Sequence, residues 1–136
     1  MAHNRSARRR LAATLLALNV ATTAAQAAEN SCVSSPKLVG QCFAVHGRLF
    51  LANGTPSIRM WRVGTKRILG ILGSNGKSSD ENFNDLPLNV RKLIPSDPFD
   101  MNIYGDYTVC PLEREKPGWM QDVCIASATH LVSRPR

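Results

Sequence analysis

The sequence predicts a small all-β domain, a closed five-stranded barrel in which three strands, one short helix and two further strands follow in order. Two observations predict this fold. Five short segments are rich in strand-forming residues with apolar–polar alternation, and residues typical of turns separate them. Four cysteines in so short a chain also indicate a domain cross-linked by disulfides. Because closure removes exposed strand edges, a barrel is favoured over the alternative, an open antiparallel β-sandwich or meander.

The first 27 residues predict a cleavable secretory signal peptide. Four arginines among the first ten residues precede a mostly apolar run at 11–20, and the small residues Ala25 and Ala27 follow at the positions that a signal peptidase reads. The apolar run is shorter than the ~20 residues that span a bilayer, which disfavours a retained anchor. The residues before Cys32 lack the pattern needed for lipid attachment. We therefore expect a secreted or periplasmic protein without a transmembrane segment after cleavage.

Cleavage after Ala27 leaves a mature chain of 109 residues, which is the size of one domain. Four of the 17 basic residues and none of the 10 acidic residues lie in the signal peptide, so the formal charge falls from +7 to +3. This modest charge does not indicate a nucleic-acid-binding surface. We expect a monomer with an N-terminal extension at 28–41, a barrel domain at 42–133 and a tail at 134–136.

The first three predicted strands lie close together in the chain. Residues 42–51 place apolar side chains on one face, and Gly47 in the middle indicates a bulge or sharp bend. Asn53-Gly54 is a strong hairpin signal, because both residues tolerate positive φ. It leads to a second strand at 57–63. A third strand at 66–72 is apolar on both faces in its second half, which is typical of a central position.

The second half of the chain predicts a helix and two more strands. The polar stretch 73–84 is typical of a surface loop. Apolar residues then recur at helical spacing over 86–94, and Pro95 ends the element. Strands are predicted at 101–110 and at 119–128, and the residues after 128 extend the last strand or add a short edge.

This order of elements resembles the OB-fold, as does the glycine that bends the first strand. The resemblance covers about 42–133 and concerns topology, since OB proteins share no specific motif. The segments VHGRLFLANGTPSIRMWRVGTKRILGI, YGDYTVCPLE and VCIASATHLV also look like those of small secreted bacterial proteins. That second resemblance implies export and carries no activity with it.

The cysteines Cys32, Cys42, Cys110 and Cys124 all lie in the mature chain, where an even number indicates disulfides. Cys110 and Cys124 flank a predicted hairpin, so we favour a bridge between them and a second bridge between Cys32 and Cys42. A zinc site is disfavoured because the chain has no C-x-x-C pair. We expect no metal and no cofactor.

A basic–aromatic cluster on the second and third strands is the best candidate for a binding surface. Arg59, Trp61 and Arg67 are the residues we would assign to a ligand, because aromatic rings stack on bases or sugars and guanidinium groups hold anions. Strand alternation places Arg59 and Trp61 on one side and Arg62 on the other, so the cluster is not one continuous patch. The alternative is that Trp61 fills the core or covers a hydrophobic seam and the cations are solvated.

No set of residues predicts catalysis. His46, Asp106 and His130 suggest a metal or acid–base site, but none lies in a known motif, and surface or locally hydrogen-bonded histidines are the favoured interpretation. The cysteines are expected to be oxidised, which removes a thiolate nucleophile. We therefore predict no catalytic residue and no enzyme.

Three functions remain in order of preference. The first is a noncatalytic exported binding module for an envelope glycan, an anionic small molecule or an envelope protein. The second is a structural or stress-related envelope protein that acts through protein partners. A secreted enzyme of unknown class is third, because no acid–base pair or nucleophile is evident.

Overall fold

A computed structural model describes residues 31–79 and 83–135 of the chain, and the predicted signal peptide at 1–27 lies outside these residues. A short 3-10 helix at Pro98–Asp100 precedes the fourth strand. The other elements are β1 (Phe43–Leu51), β2 (Ile58–Arg62), β3 (Ile68–Ile71), α1 (Leu88–Arg91), β4 (Asn102–Pro111) and β5 (Gln121–Ser133).

The five strands form a closed barrel in the order β1-β2-β3-β5-β4, with β4 pairing back onto β1. All neighbouring strands are antiparallel except β3 and β5, which are parallel. The predicted all-β fold is thus confirmed: the chain forms a closed five-stranded barrel with one short helix. Among the described residues, no helix is long and apolar enough to cross a membrane.

Period-two alternation gives β1 and β2 one buried face, whereas consecutive residues are buried in β3 and in the first half of β5. The barrel interior is filled by side chains that alternate with exposed ones, as the burial of Leu49, Met60 and Ile103 shows. Tyr107 is also buried, and its hydroxyl donates a hydrogen bond to the carbonyl of Ile103 at 2.9 Å. Its polar group is therefore satisfied inside the core, where an unpaired hydroxyl would be costly.

Gly47 allows a close approach inside the barrel. The pairing of β1 with β2 and β4 continues through Gly47 without a shift in register, so the predicted bulge is not at this residue. A β-carbon there would lie 2.6 Å from Met60 Sδ. The register shifts occur instead between β4 and β5, at Tyr104/Asp106 and at Thr108/Val109.

The helix is shorter than predicted but buries the predicted face. Helix α1 spans four residues of the predicted 86–94, and Leu86 and Val90 are buried in the core. The side-chain amide of Asn89 donates to the carbonyl of Ala128 at 2.6 Å, which holds the helix against β5. Its apolar stripe therefore extends the barrel core, as the sequence pattern indicated.

The preferred disulfide pairing is wrong. The bridges join Cys32 to Cys124 and Cys42 to Cys110. Barrel closure is the physical reason: Phe43 on β1 pairs with Val109 on β4, so the preceding Cys42 meets Cys110. Cys110 and Cys124 do face each other across the β4–β5 ladder, as the hairpin suggested, but they are not bonded. Two such bridges are typical of proteins from an oxidising compartment.

Candidate functional site

Two arginines and two aromatic rings form one continuous surface on the outside of the barrel. Arg48 and Phe50 of β1 pair with Trp61 and Arg59 of β2, respectively. All four side chains point outward, because the alternate residues of both strands are buried. We call this set the arginine–aromatic face. Of these four residues, the sequence predicts only Arg59 and Trp61 as ligand-binding residues, because the pairing partner of each strand is not visible in the sequence.

Trp61 is neither core nor free surface. Its side chain is partly buried, and its indole N–H donates to the carbonyl of Thr65 at 2.7 Å. The guanidinium carbon of Arg48 lies 5.4 Å from the centroid of the Trp61 ring and 5.1 Å from that of Phe50. These are cation–π distances, so Arg48 covers part of the indole and is held between two rings.

Arg59 is held by its own hairpin. Its Nε donates to the carbonyl of Pro56 at 3.1 Å, and its Nη2 donates to the carbonyl of Asn53 at 3.0 Å. The guanidinium thus satisfies two carbonyls of the β1–β2 turn. The residue keeps its positive charge beside Trp61, but part of its hydrogen-bonding capacity is already used.

Arg67 points away from this face toward the loop that joins β4 to β5. It forms an ion pair with Glu115, whose side chain is more than half exposed. Beside this pair, an open groove runs between the start of β3 and the end of the loop. We call it the loop groove; it is lined by Lys66, Arg67, Ile68, Gly118, Trp119 and Met120.

Trp119 is the exposed aromatic residue of the loop groove. Its side chain is 72% exposed, the largest value among the exposed large hydrophobic residues of the described chain. The sequence analysis assigned Trp119 to the fifth strand, but β5 begins at Gln121. The turn residues Pro117-Gly118 directly precede it, and the positive φ of Gly118 (+76°) extends the loop as far as Trp119.

The loop groove and the arginine–aromatic face adjoin each other through β3. Ile68 pairs with Trp61 across the β2–β3 ladder and also lines the loop groove. Of the three residues predicted for ligand binding, Arg59 and Trp61 therefore lie on one face and Arg67 on the neighbouring groove.

His46, Asp106 and His130 come together on another part of the barrel. His46 Nδ1 lies 2.8 Å from one carboxylate oxygen of Asp106, and His130 Nδ1 lies 3.0 Å from the other. The hydrogen bond with His46 is the largest influence and holds the pKa of Asp106 below its usual value. Burial opposes it, and the hydrogen bond with His130 adds a smaller lowering. The favoured interpretation, locally hydrogen-bonded surface histidines, matches this arrangement.

The backbone of β5 is bent to bring His130 to this cluster. His130 has a φ of +50°, at the register shift where Tyr104 and Asp106 pair with Val132 and Thr129. A β-carbon on the opposing Gly105 would lie 3.0 Å from the carbonyl oxygen of Thr129. A side chain at Gly105 would therefore crowd the bulged strand, and the backbone at Thr129 and the side chain of Leu131 would have to shift.

A metal at this cluster would need some rearrangement. Among the described residues, only the sulfurs of Cys32, Cys110 and Cys124 form a set of three ligand atoms within 4.8 Å of one another, and all three are in disulfides. The histidine cluster is not such a set.

Comparison of the chain with family models, curated proteins and solved structures finds no match.

Proposed function

We propose that this protein is a noncatalytic exported binding module of the OB type whose ligand is an acidic glycan of the cell envelope. The ligand lies along the loop groove and reaches the arginine–aromatic face. In OB-folds, the face of strands 2 and 3 and the loops between strands 1 and 2 and between strands 4 and 5 bind oligosaccharides and oligonucleotides. The modest charge of the mature chain and its expected export favour a glycan over a nucleic acid.

The observation that carries this proposal is the exposed indole of Trp119 beside two cations. An exposed tryptophan leaves a large apolar surface in water, and such surfaces mark interaction sites when they are rimmed by polar residues. The flat indole offers a stacking surface for a sugar ring. Lys66 and Arg67 line the same groove and supply positive charge for a carboxylate or sulfate on that sugar.

The charge distribution of the surface also supports an anionic ligand. The face and groove together contain four cations, Arg48, Arg59, Lys66 and Arg67. The acidic partner identified beside them is Glu115, which is paired with Arg67. A ligand carboxylate can take the place of Glu115, because Glu115 is more than half exposed and ion pairs at a protein surface are weak.

Binding of a uronic acid oligomer tests this proposal. The mature, oxidised protein is titrated by calorimetry with oligogalacturonate and with a neutral maltooligosaccharide of equal length. We expect the acidic oligomer to bind and Trp119→Ala to weaken its binding by about 5-fold to 150-fold, since stacking on an aromatic ring contributes about 1–3 kcal/mol.

Leu88→Ala is the matched control, because Leu88 is also an exposed apolar residue (58%) but lies on α1, outside the face and groove. It is expected to leave affinity unchanged. Equal binding of both oligomers, or equal losses in the two variants, would contradict the proposal. Circular dichroism of Trp119→Ala establishes that the barrel is still folded.

A second candidate function is a structural or stress-related envelope protein that acts through a protein partner. It is favoured by the intramolecular bonds of Arg59 and Trp61, each of which donates to a carbonyl of its own turn. A pull-down from the envelope fraction separates the two candidates. A single stoichiometric protein partner supports this second function, and recovered glycan supports the first.

A further inference from the structure

Three cysteines lie side by side across three neighbouring strands. Cys110 of β4 meets Cys42 on one side, at the start of β1, and forms a disulfide with it. On its other side, Cys110 pairs directly with Cys124 of β5 in the antiparallel ladder. Directly opposed residues in such a ladder project their side chains to the same face. Cys110 is therefore placed between two cysteines that can each bond to it.

The sulfurs of the two disulfides are also close in space. The Sγ atoms of Cys32, Cys110 and Cys124 all lie within 4.8 Å of one another. If Cys110 were released from Cys42, its thiolate would face the Cys32–Cys124 disulfide without any movement of a strand. Thiol–disulfide exchange needs this kind of access of a thiolate to a disulfide sulfur.

Solvent reaches the two disulfides unequally. Cys42 is partly exposed, whereas Cys32, Cys110 and Cys124 are buried, with at most 2% of each exposed. An external thiolate therefore reaches the sulfur of Cys42 first. Attack at Cys42 expels Cys110 as the leaving thiolate, and Cys110 is the cysteine that lies beside the second disulfide.

We propose that the Cys42–Cys110 disulfide is a thiol-exchange site for a dithiol reductant, and that its reduction moves the second disulfide from Cys32–Cys124 to Cys110–Cys124. One thiolate of the dithiol attacks Cys42, forms a mixed disulfide and releases the Cys110 thiolate. The second thiol of the reductant resolves the mixed disulfide, so the reductant leaves as a disulfide and Cys42 as a thiol.

The Cys110 thiolate then attacks the sulfur of Cys124. The new Cys110–Cys124 bond forms as the Cys32–Cys124 bond breaks, and Cys32 leaves as a thiolate that takes up a proton. Two electrons pass in total from the dithiol to the protein. The product contains one disulfide, Cys110–Cys124, and two thiols, Cys32 and Cys42.

This exchange releases the segment that precedes the barrel. In the oxidised protein, Cys32 joins residues 31–41 to β5, and Leu38 and Leu112 pack on the small cluster formed by the buried cysteines and Ala126. After exchange, no disulfide joins Cys32 or Cys42 to the barrel. The segment is then held by noncovalent contacts, such as the packing of Leu38 and the hydrogen bond from Val39 N to the carbonyl of Pro111. The two disulfides thus form a redox-controlled latch on residues 31–41.

Partial reduction of the native protein tests the proposal. The oxidised mature protein is treated with limiting dithiothreitol, quenched in acid, alkylated and digested with trypsin. Lys37 lies between Cys32 and Cys42 and Arg114 lies between Cys110 and Cys124, so the four cysteines fall on different peptides. We expect molecules with two alkylated cysteines to carry the label on Cys32 and Cys42, with the Cys110 and Cys124 peptides cross-linked.

Two variants separate the first step from the exchange. Cys42→Ser leaves Cys110 without its disulfide partner. Without any reductant, we expect this variant to contain a Cys110–Cys124 disulfide and to be alkylated at Cys32. The double variant Cys32→Ser/Cys124→Ser contains only the Cys42–Cys110 disulfide and measures whether dithiothreitol opens it at the same concentration. Both variants are compared with wild type by circular dichroism.

Three outcomes overturn the proposal. The first is label on Cys42 and Cys110 with Cys32–Cys124 still bridged. The second is wild-type protein that passes directly from two disulfides to four thiols, although dithiothreitol readily opens the Cys42–Cys110 disulfide of the double variant. The third is a Cys42→Ser protein whose free thiol is Cys110.

Discussion

Asp106 accepts a hydrogen bond on each of its two carboxylate oxygens, one from His46 and one from His130. These bonds lower its pKa in the folded protein, so the folded state binds a proton less readily than the unfolded chain does. The carboxylate therefore stabilises the fold fully above the unfolded pKa of about 3.9. This stabilisation is lost as the pH falls through the lower folded pKa.

Asp106→Asn tests this dependence, because asparagine does not titrate. We expect the variant to melt below wild type at about pH 5, where the carboxylate is ionised, and the difference in Tm to shrink as the pH falls to about 2.5. Asp100→Asn, which changes another exposed carboxylate, is the control and should not reproduce the effect. A difference in Tm that is constant across this range would show that the ionised carboxylate is not responsible.

The sequence identifies some individual site residues but not the contacts between them. His46, Asp106 and His130 are recognisable as a chemically unusual set, but their meeting depends on a bulge in β5 that no residue pattern announces. The sequence predicts that the fifth strand begins at Trp119, two residues before the start of β5. Its position in the loop follows from the turn at Gly118. The preceding proline does not by itself predict that Gly118 has a positive φ.

At the scale of elements, the strands were well predicted and their partners were not. Strand-forming residues between turn signals located all five strands, with apolar–polar alternation in most of them and apolar residues on both faces of the third. Alternation says nothing about which strand lies beside which, and the wrong disulfide pairing has this origin. A local hairpin explains the contact of Cys110 with Cys124, whereas the bond to Cys42 depends on the long-range pairing of β1 with β4.

Helix α1 is short, so packing rather than helix propensity must hold it in place. Val90 is fully buried against the barrel core, whereas Leu88 on the same helix is exposed. We expect Val90→Ala to lower the free energy of unfolding by about 2 kcal/mol, because it leaves a cavity in the core. Leu88→Ala should change it by less than about 0.5 kcal/mol. Urea unfolding of both variants measures this difference, and equal effects would show that α1 does not close the core.

At the scale of the whole molecule, barrel closure decides where every candidate site residue lies. The parallel pairing of β3 with β5 places Leu69 opposite Gln121, so the residues before each strand become neighbours. Arg67 and Trp119 meet for this reason, although they are far apart in the chain. The sequence analysis could propose Arg67 as a ligand-binding residue but could not place Trp119 beside it, because this contact depends on the order of strands in the closed sheet.

The Cys32–Cys124 disulfide acts on the whole chain, since it joins residues 92 positions apart. Such a link restricts the unfolded chain, and by the chain-entropy account its loss costs about 2–5 kcal/mol of stability. The Cys32→Ser/Cys124→Ser variant should therefore unfold at lower urea concentration and with a larger m-value, because its unfolded chain exposes more surface. Val90→Ala provides the comparison, since it should lower stability without changing m. A loss of stability at constant m in the disulfide variant would instead assign the effect to contacts of residues 31–41 in the folded protein.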